Sequence, residues 1–406
     1  MGHQEVNVQA NLARVVRISG KVLAAAFLTL GQEAKKQQVY QKPEEYTVID
    51  LLGSGGFGDV YKVCKTGTNE LYAIKTELYE FNGRRINRLE NTNQMTQNVS
   101  TIRDCSSQVE VSVMTDIANF EDVSHKSHFI TLIDRGKTDQ FKTIVMQLLG
   151  PSIADLRRYY ICEEFSRSTA IRISQQTLES IWDLHVIGYL HKDIKPQNFA
   201  IGLNDKSNVV YMIDLGMATK YINSRTKKIK IPRSKARFMG TIRYASRNCH
   251  RAKHQSRRDD LESWIYMSIE FFNSSILTWK RMIDRKAVLY EKENFFNLPP
   301  QEAYIGAPMG YKSISQYIDK LSFEEEPNYT LLHVGFLTTH SNLNAKKALE
   351  EIIRNENIDV TIPFDWYGRS LTRRKKTELD SGYEKLSRNP TSSPDLARFA
   401  SISDYR

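Results

Sequence analysis

A two-lobed α+β fold, with a small strand-rich lobe followed by a larger helical one, is what the sequence predicts, on three observations. Short alternating segments flank a glycine cluster between residues 46 and 79. After Gly150-Pro151, apolar residues recur at three- and four-residue spacing. LESWIYMSIEFF, 261–272, is apolar nearly all round, as a helix buried on every side would be.

Taken in order, residues 1–45 read as an N-terminal extension. VLAAAFLTL, 22–30, is a short apolar run behind Arg14, Arg17 and Lys21. The long segment before it, with Glu5, argues against a secretory signal, and an extra helix packed on the domain is expected. The Met-Gly start carries Val6 where N-myristoylation calls for Ser or Thr. In the first lobe, 46–149, YTVIDLLGS, DVYKVCK and LYAIKTELY read as three strands. Residues from about 80 to 108 are polar and read as an inserted loop, longer than compact domains usually carry. Residues 109–117 are expected to be helical, and FKTIVMQLL, 141–149, to be a buried strand. The second lobe, 150–368, opens with SIADLRRYY and a long periodic helix, SRSTAIRISQQTLESIWDLHVIG. Residues 369–406, basic and rich in Ser and Pro without periodicity, read as a disordered tail.

Composition narrows the function. Cysteines 64, 105, 162 and 249 form no CxxC pair and no zinc spacing, so a reducing compartment is expected, and the cytoplasm is the default location. No apolar run approaches the length of a membrane span, so no membrane partner is expected. A formal net charge of +10 favours acidic partners. With no RNA- or DNA-binding signature beside it, nucleic acid is not among those expected.

GSGGFGDV sets Gly53, Gly55 and Gly58 in GxGxxG spacing, with Ser54, Gly56, Phe57 and Val60 completing the loop. Dinucleotide-binding folds share that spacing but run from it into a helix, whereas DVYKV continues as a strand. A glycine loop between two strands can fold over phosphates with its N–H groups facing them. The one GKT, at Gly136, has Thr131 where a Walker loop needs its first glycine. Ala73-Ile74-Lys75 follows in the next strand, then HKDIKPQN at 191–198 and MIDLGMA around Asp214.

In this order and spacing these motifs resemble those of protein kinases, and the resemblance implies a role for each residue. Lys75 pairs the ATP phosphates and a helix glutamate, Glu110 in preference to Glu90. Asp193 accepts the substrate hydroxyl proton, Lys195 reaches the γ-phosphate, and Asn198 and Asp214 hold Mg²⁺. A lysine two residues after the aspartate is the serine/threonine form of the loop.

GTIRYASRN, 240–248, and SRRDDLESW, 256–264, resemble the casein kinase 1 family. MQLLGPSIADLRR, 146–158, and IPFDWYG, 362–368, are closest to its tau-tubulin kinase branch. By that resemblance Met146 is the gatekeeper, Leu148 and Leu149 form the adenine-binding hinge, Ala73 is a further nucleotide-binding residue, and Asp260 anchors the buried helix. Three positions depart from the pattern: Lys192 for arginine, Leu215 for phenylalanine, and Arg247 inside the triplet that replaces APE. None removes a metal ligand, the base or the ATP lysine. The expectation is therefore an ATP- and Mg²⁺-dependent serine/threonine kinase; the alternative is a catalytically weak kinase-like scaffold, a pseudokinase.

SRTKKIKIPRSKARFMG, 224–240, is strongly basic and lies where a kinase docks its peptide. Arg237 in that segment, and Arg243 in the RYAS stretch, which by the resemblance matches an anion-binding position, are the candidate substrate-binding residues, and acidic or phosphorylated Ser/Thr protein substrates are the expected partners.

Overall fold

The computed structural model describes residues 46–55, 58–78, 106–137, 141–161, 164–223, 225–232, 234–297, 304–329 and 348–369. The N-terminal extension, the last residue of the expected third strand, residues 80–105 of the insertion with Glu90, Gly56, Phe57 and residues 370–406 of the basic tail lie outside the described residues.

The first lobe is a five-stranded antiparallel sheet in the order β1-β2-β3-β5-β4. Its strands are Tyr46–Gly55 (β1), Gly58–Lys65 (β2), Leu71–Leu78 (β3), Leu132–Lys137 (β4) and Phe141–Gln147 (β5). Period-two alternation gives the sheet two apolar faces. Ala73, Ile144 and Met146 join the main core with Val113, Met114 and Ile117 of the helix Ser106–Ala118 (α1). Ile74 and Val145, one residue out of phase, close a small cluster with Tyr46 and Val63 on the other face.

Two boundaries differ from the sequence expectation. Helix α1 starts at Ser106, inside the expected insertion, because Ser107 N–H donates to Glu77 Oε2 at 3.0 Å and ties the first turn to the end of β3. Strand β5 stops at Gln147, two residues short of Leu149. Gln147 N–H turns to Thr131 O, and Gly150 N–H goes to Ile201 O, so Leu148 and Leu149 connect the lobes instead of extending the sheet.

The helical lobe is built on two long helices, Arg167–Ile187 (α2) and Arg257–Phe272 (α3). Ser166 caps α2 by accepting from Thr169 N–H, and Gly188 ends it at φ 101°, the left-handed conformation that favours glycine. Every residue of α3 except Arg258 is buried. Trp264, Ile265, Tyr266 and Met267 are each 0% exposed, and each such side chain contributes roughly 1.5–3 kcal/mol of burial. Helices Arg285–Asn297 (α4), Gly310–Lys320 (α5) and Ala348–Asn355 (α6) complete the lobe. SIADLRRYY forms only one α-turn, Ile153–Asp155, before widening into a π-type turn over Leu156–Ile161. The IPFDWYG segment closes back on α2: Phe364 stacks on Trp366 at 4.4 Å, and Asp365 Oδ2 accepts from Ser166 N–H at 2.7 Å.

Candidate active site

Lys75 points from β3 into the space between the lobes, where its Nζ lies 2.7 Å from Glu110 Oε2 and 2.9 Å from Asp214 Oδ1. One ammonium thus serves two carboxylates from different elements, α1 and the turn Leu215–Met217. Burial alone would push the Lys75 ammonium down, but Glu110 and then Asp214 outweigh it and hold it above its ordinary value. The carboxylates share the cation unequally. Burial pushes Glu110 up against the pull of Lys75. Asp214 is held below its usual range, because Lys75 more than offsets its partial burial.

The strands on either side of the glycine loop pair across from this lysine: Gly53 faces Val60, Ser54 faces Asp59 and Gly55 faces Gly58. Gly58 has φ +116°, and a Cβ there would collide with Thr76 O, so the turn into β2 excludes any side chain. Ala73 pairs with Met146 in register, both nearly buried, and Leu148 and Leu149 pack partly buried against the same core. These residues form an apolar wall next to the lysine, suited to a flat heterocycle.

The HKDIKPQN loop runs from strand Tyr189–Leu190 (β6) through the turn Pro196–Asn198 to strand Phe199–Ile201 (β7). Lys192 has φ 69°, costly for a lysine, and it is held there by a buried carboxylate. Asp260 Oδ1 accepts from Lys192 N–H at 2.8 Å. Asp260 Oδ2 accepts from His191 N–H at 2.8 Å and sits 2.9 Å from His185 Nε2. The first turn of α3 therefore fixes the loop that presents Asp193.

Asp193 is 6% exposed, and its two oxygens have separate partners. Lys195 Nζ lies 2.5 Å from Oδ2. Thr241 donates to Oδ1 from both its N–H, at 2.9 Å, and its hydroxyl, at 2.8 Å. Asn198 Nδ2 donates to the Asp193 carbonyl at 2.8 Å, which turns the amide group as a unit and leaves its oxygen as an acceptor. Ile213 N–H bonds Asn198 O at 2.9 Å, so Asn198 and Asp214 stand on neighbouring strands' ends. A carboxylate and an amide oxygen are the hard donors that Mg²⁺ takes when phosphate and water oxygens complete its shell.

Thr241 was not legible as a site residue from sequence; the GT of GTIRYAS was its one signal. Gly240 before it has φ +117°, and a Cβ there would meet Lys192 O at 2.9 Å and Asp193 Oδ1 at 3.5 Å. Of the two candidate substrate residues, Arg237 is exposed on the basic segment with Arg225, Lys227, Lys228, Lys230 and Lys235. Arg243 is drawn inward: Nη2 and Nε donate to Lys280 O at 2.8 and 3.2 Å, and Nη1 lies 3.4 Å from Glu270 Oε1.

Comparison with known proteins agrees with this arrangement. The protein kinase domain family matches residues 46–321. The serine/threonine-protein kinase spe-6 of Caenorhabditis elegans is 31% identical over 335 residues, 82% of this chain and 78% of that protein. A second Caenorhabditis elegans protein that carries a serine/threonine-protein kinase name is 31% identical over 318 residues, 78% of this chain and 85% of its own. One from Dictyostelium discoideum is 29% identical over 322 residues, 79% of this chain and 56% of its own. The fold is the two-lobed protein kinase fold, and the chain belongs to the protein kinase family. It is a protein serine/threonine kinase, an ATP-using transferase.

Proposed function

We propose that the Lys75, Asp193, Lys195, Asn198 and Asp214 constellation moves the γ-phosphoryl of ATP to Ser or Thr hydroxyls of acidic or phosphorylated proteins. The observation that carries this reading is Lys75 Nζ held between Glu110 and Asp214, at 2.7 and 2.9 Å, which joins both lobes at one cation. Phosphoryl transfer asks a protein chiefly for positioning and for stabilisation of charge.

In this account Asp193 Oδ2 takes the hydroxyl proton of the incoming Ser or Thr, while Thr241 keeps Oδ1 occupied and the carboxylate turned. Lys195, now on Oδ2, follows the charge to the transferring phosphoryl. Lys75 fixes the nucleotide phosphates, and Ala73, Val60, Met146, Leu148 and Leu149 hold the adenine against the hinge. Asp214 and Asn198 would hold Mg²⁺, which neutralises phosphate charge when bound. Lys192 costs the site little, because the backbone at that position, not the side-chain fork, meets Asp260.

The substrate preference rests on the six exposed basic side chains of 225–237. The casein kinase 1 superfamily, and its tau-tubulin kinase branch, is the subgroup we assign from the GTIRYASRN and IPFDWYG segments; the cytoplasm is the assigned location. Peptides that differ only in acidic residues flanking one acceptor serine test the preference. A rise of tenfold or more in kcat/KM with added acidic residues supports it, and equal rates sink it.

A further inference from the structure

Lys292, on α4, is 0% exposed, although lysine is among the side chains least often buried. Its Nζ donates to Ile242 O at 2.9 Å and to Ala245 O at 2.5 Å, and lies 3.2 Å from His250 Nε2. The head sits over the Tyr266 ring at 4.8 Å and the Trp279 ring at 5.7 Å. A buried amine is tolerated only when its donors are matched, and both matched oxygens belong to one turn.

That turn is the one that carries Thr241. Tyr244 N–H and Ala245 N–H both close on Thr241 O, at 2.9 and 2.8 Å. Trp279 Nε1 holds its middle through Arg243 O at 2.8 Å. Lys292 grips it at Ile242, next to Thr241, and at Ala245, its far end. From the other side Thr241 meets Asp193 through two hydrogen bonds.

We infer that Lys292 is a positioning residue for phosphoryl transfer, setting the 241–245 turn from within so that Thr241 holds the Asp193 carboxylate in its reactive orientation. The inference rests on the reading of Asp193 as the base. Without the amine, the Ala245 carbonyl loses its buried donor and Ile242 O keeps only His250 Nε2, at 3.2 Å, so the far end of the turn relaxes to be satisfied elsewhere. Misplacement of about 1 Å at a reacting group costs roughly 10²-fold in rate.

The test uses the full chain carrying Lys292→Met or Lys292→Gln, the latter keeping two N–H donors. Phosphate transfer to casein is read as kcat per nucleotide-binding site, beside hydrogen exchange of the 240–247 amides. The expected result is a kcat loss of ten- to a hundredfold in the Met form with KM for ATP within twofold, partial recovery in the Gln form, and faster exchange confined to 240–247. Combined with Thr241→Ala, the Met change adds nothing further. Unchanged kcat per site, or losses that multiply with Thr241→Ala, overturn the inference. If the Met form does not fold, the Gln form is judged by the same criteria against wild type. Were the wild type itself inactive, the reading of Asp193 would fail, while unchanged exchange at 240–247 would separately refute the Lys292 clamp.

Discussion

Thr241 gives both of its hydrogen-bond donors to a single oxygen of Asp193, the N–H at 2.9 Å and the hydroxyl at 2.8 Å. The other oxygen of that carboxylate faces Lys195. Oδ1 is thereby fixed by Thr241, while Oδ2 meets Lys195 at 2.5 Å and Asn198 Nδ2 at 3.4 Å, two residues of the same loop. Replacing Thr241 by Val removes the hydroxyl bond and keeps the N–H. A hydrogen bond to a charged group is worth about 1.5–3 kcal/mol, so kcat is expected to fall roughly ten- to a hundredfold. Thr241→Ser restores most of it; steady-state kinetics of the two variants check this.

Gly240 gives a steric prediction at the same place. Its φ of +117° and the 2.9 Å approach of a virtual Cβ to Lys192 O leave no room for alanine without moving the loop. Gly240→Ala is expected to cut kcat at least tenfold while nucleotide affinity, measured by calorimetry, stays within twofold.

Arg247 is held in a charged cluster between the helices of the second lobe. Its guanidinium makes two bonds to Glu262, each 3.1 Å, one to Asp319 at 2.6 Å, and lies 3.7 Å over the Phe296 ring. The carboxylate it meets on α3 is 0% exposed. Arg247→Ala leaves that charge to the Tyr266 hydroxyl at 2.8 Å, the residue-247 N–H and Arg258 at 3.7 Å, and is expected to destabilise the fold by about 1–3 kcal/mol. Arg247→Met with Glu262→Gln should cost less than the sum of the single changes, as read by urea unfolding.

His250 gives a pH prediction. Burial, and then the neighbouring Lys292, push its pKa down to about 4 from 6.5. The unfolded chain binds the proton first, so stability is fully present above pH 6.5 and is lost as pH falls from 6.5 towards 4. The loss is at most about 3–4 kcal/mol. The melting temperature of wild type should drop across that window more steeply than that of His250→Gln; parallel curves would contradict the assignment.

What could be read in the sequence is what neighbours in the chain decide. The strands around the glycine loop, the helix 261–272 and the HKDIKPQN loop each carry their pattern within a few residues. The partnership of Lys75 with Glu110 spans the polar insertion, and the apolar periodicity around Glu110 was its cue. Helix α1 begins earlier than periodicity indicates because its anchor, Glu77, lies on another element. Thr241, Lys292 and the Arg247–Glu262–Asp319 cluster were hidden for the same reason. Their meaning lies in contacts between α3, α4, α5 and one turn, and a lone Lys in YEKENFF reads as solvated until its two carbonyl partners are seen.

The central claim, that Asp193 is the base of a working phosphoryl-transfer site, is tested most directly by transfer of labelled phosphate from Mg·ATP to casein by wild type and Asp193→Asn. Nucleotide affinity is measured on both. The account predicts turnover by the wild type and a loss of about 10²–10⁴-fold in the variant with ATP binding retained. Equal rates in the two proteins, or an inactive wild type that still binds ATP, would contradict it.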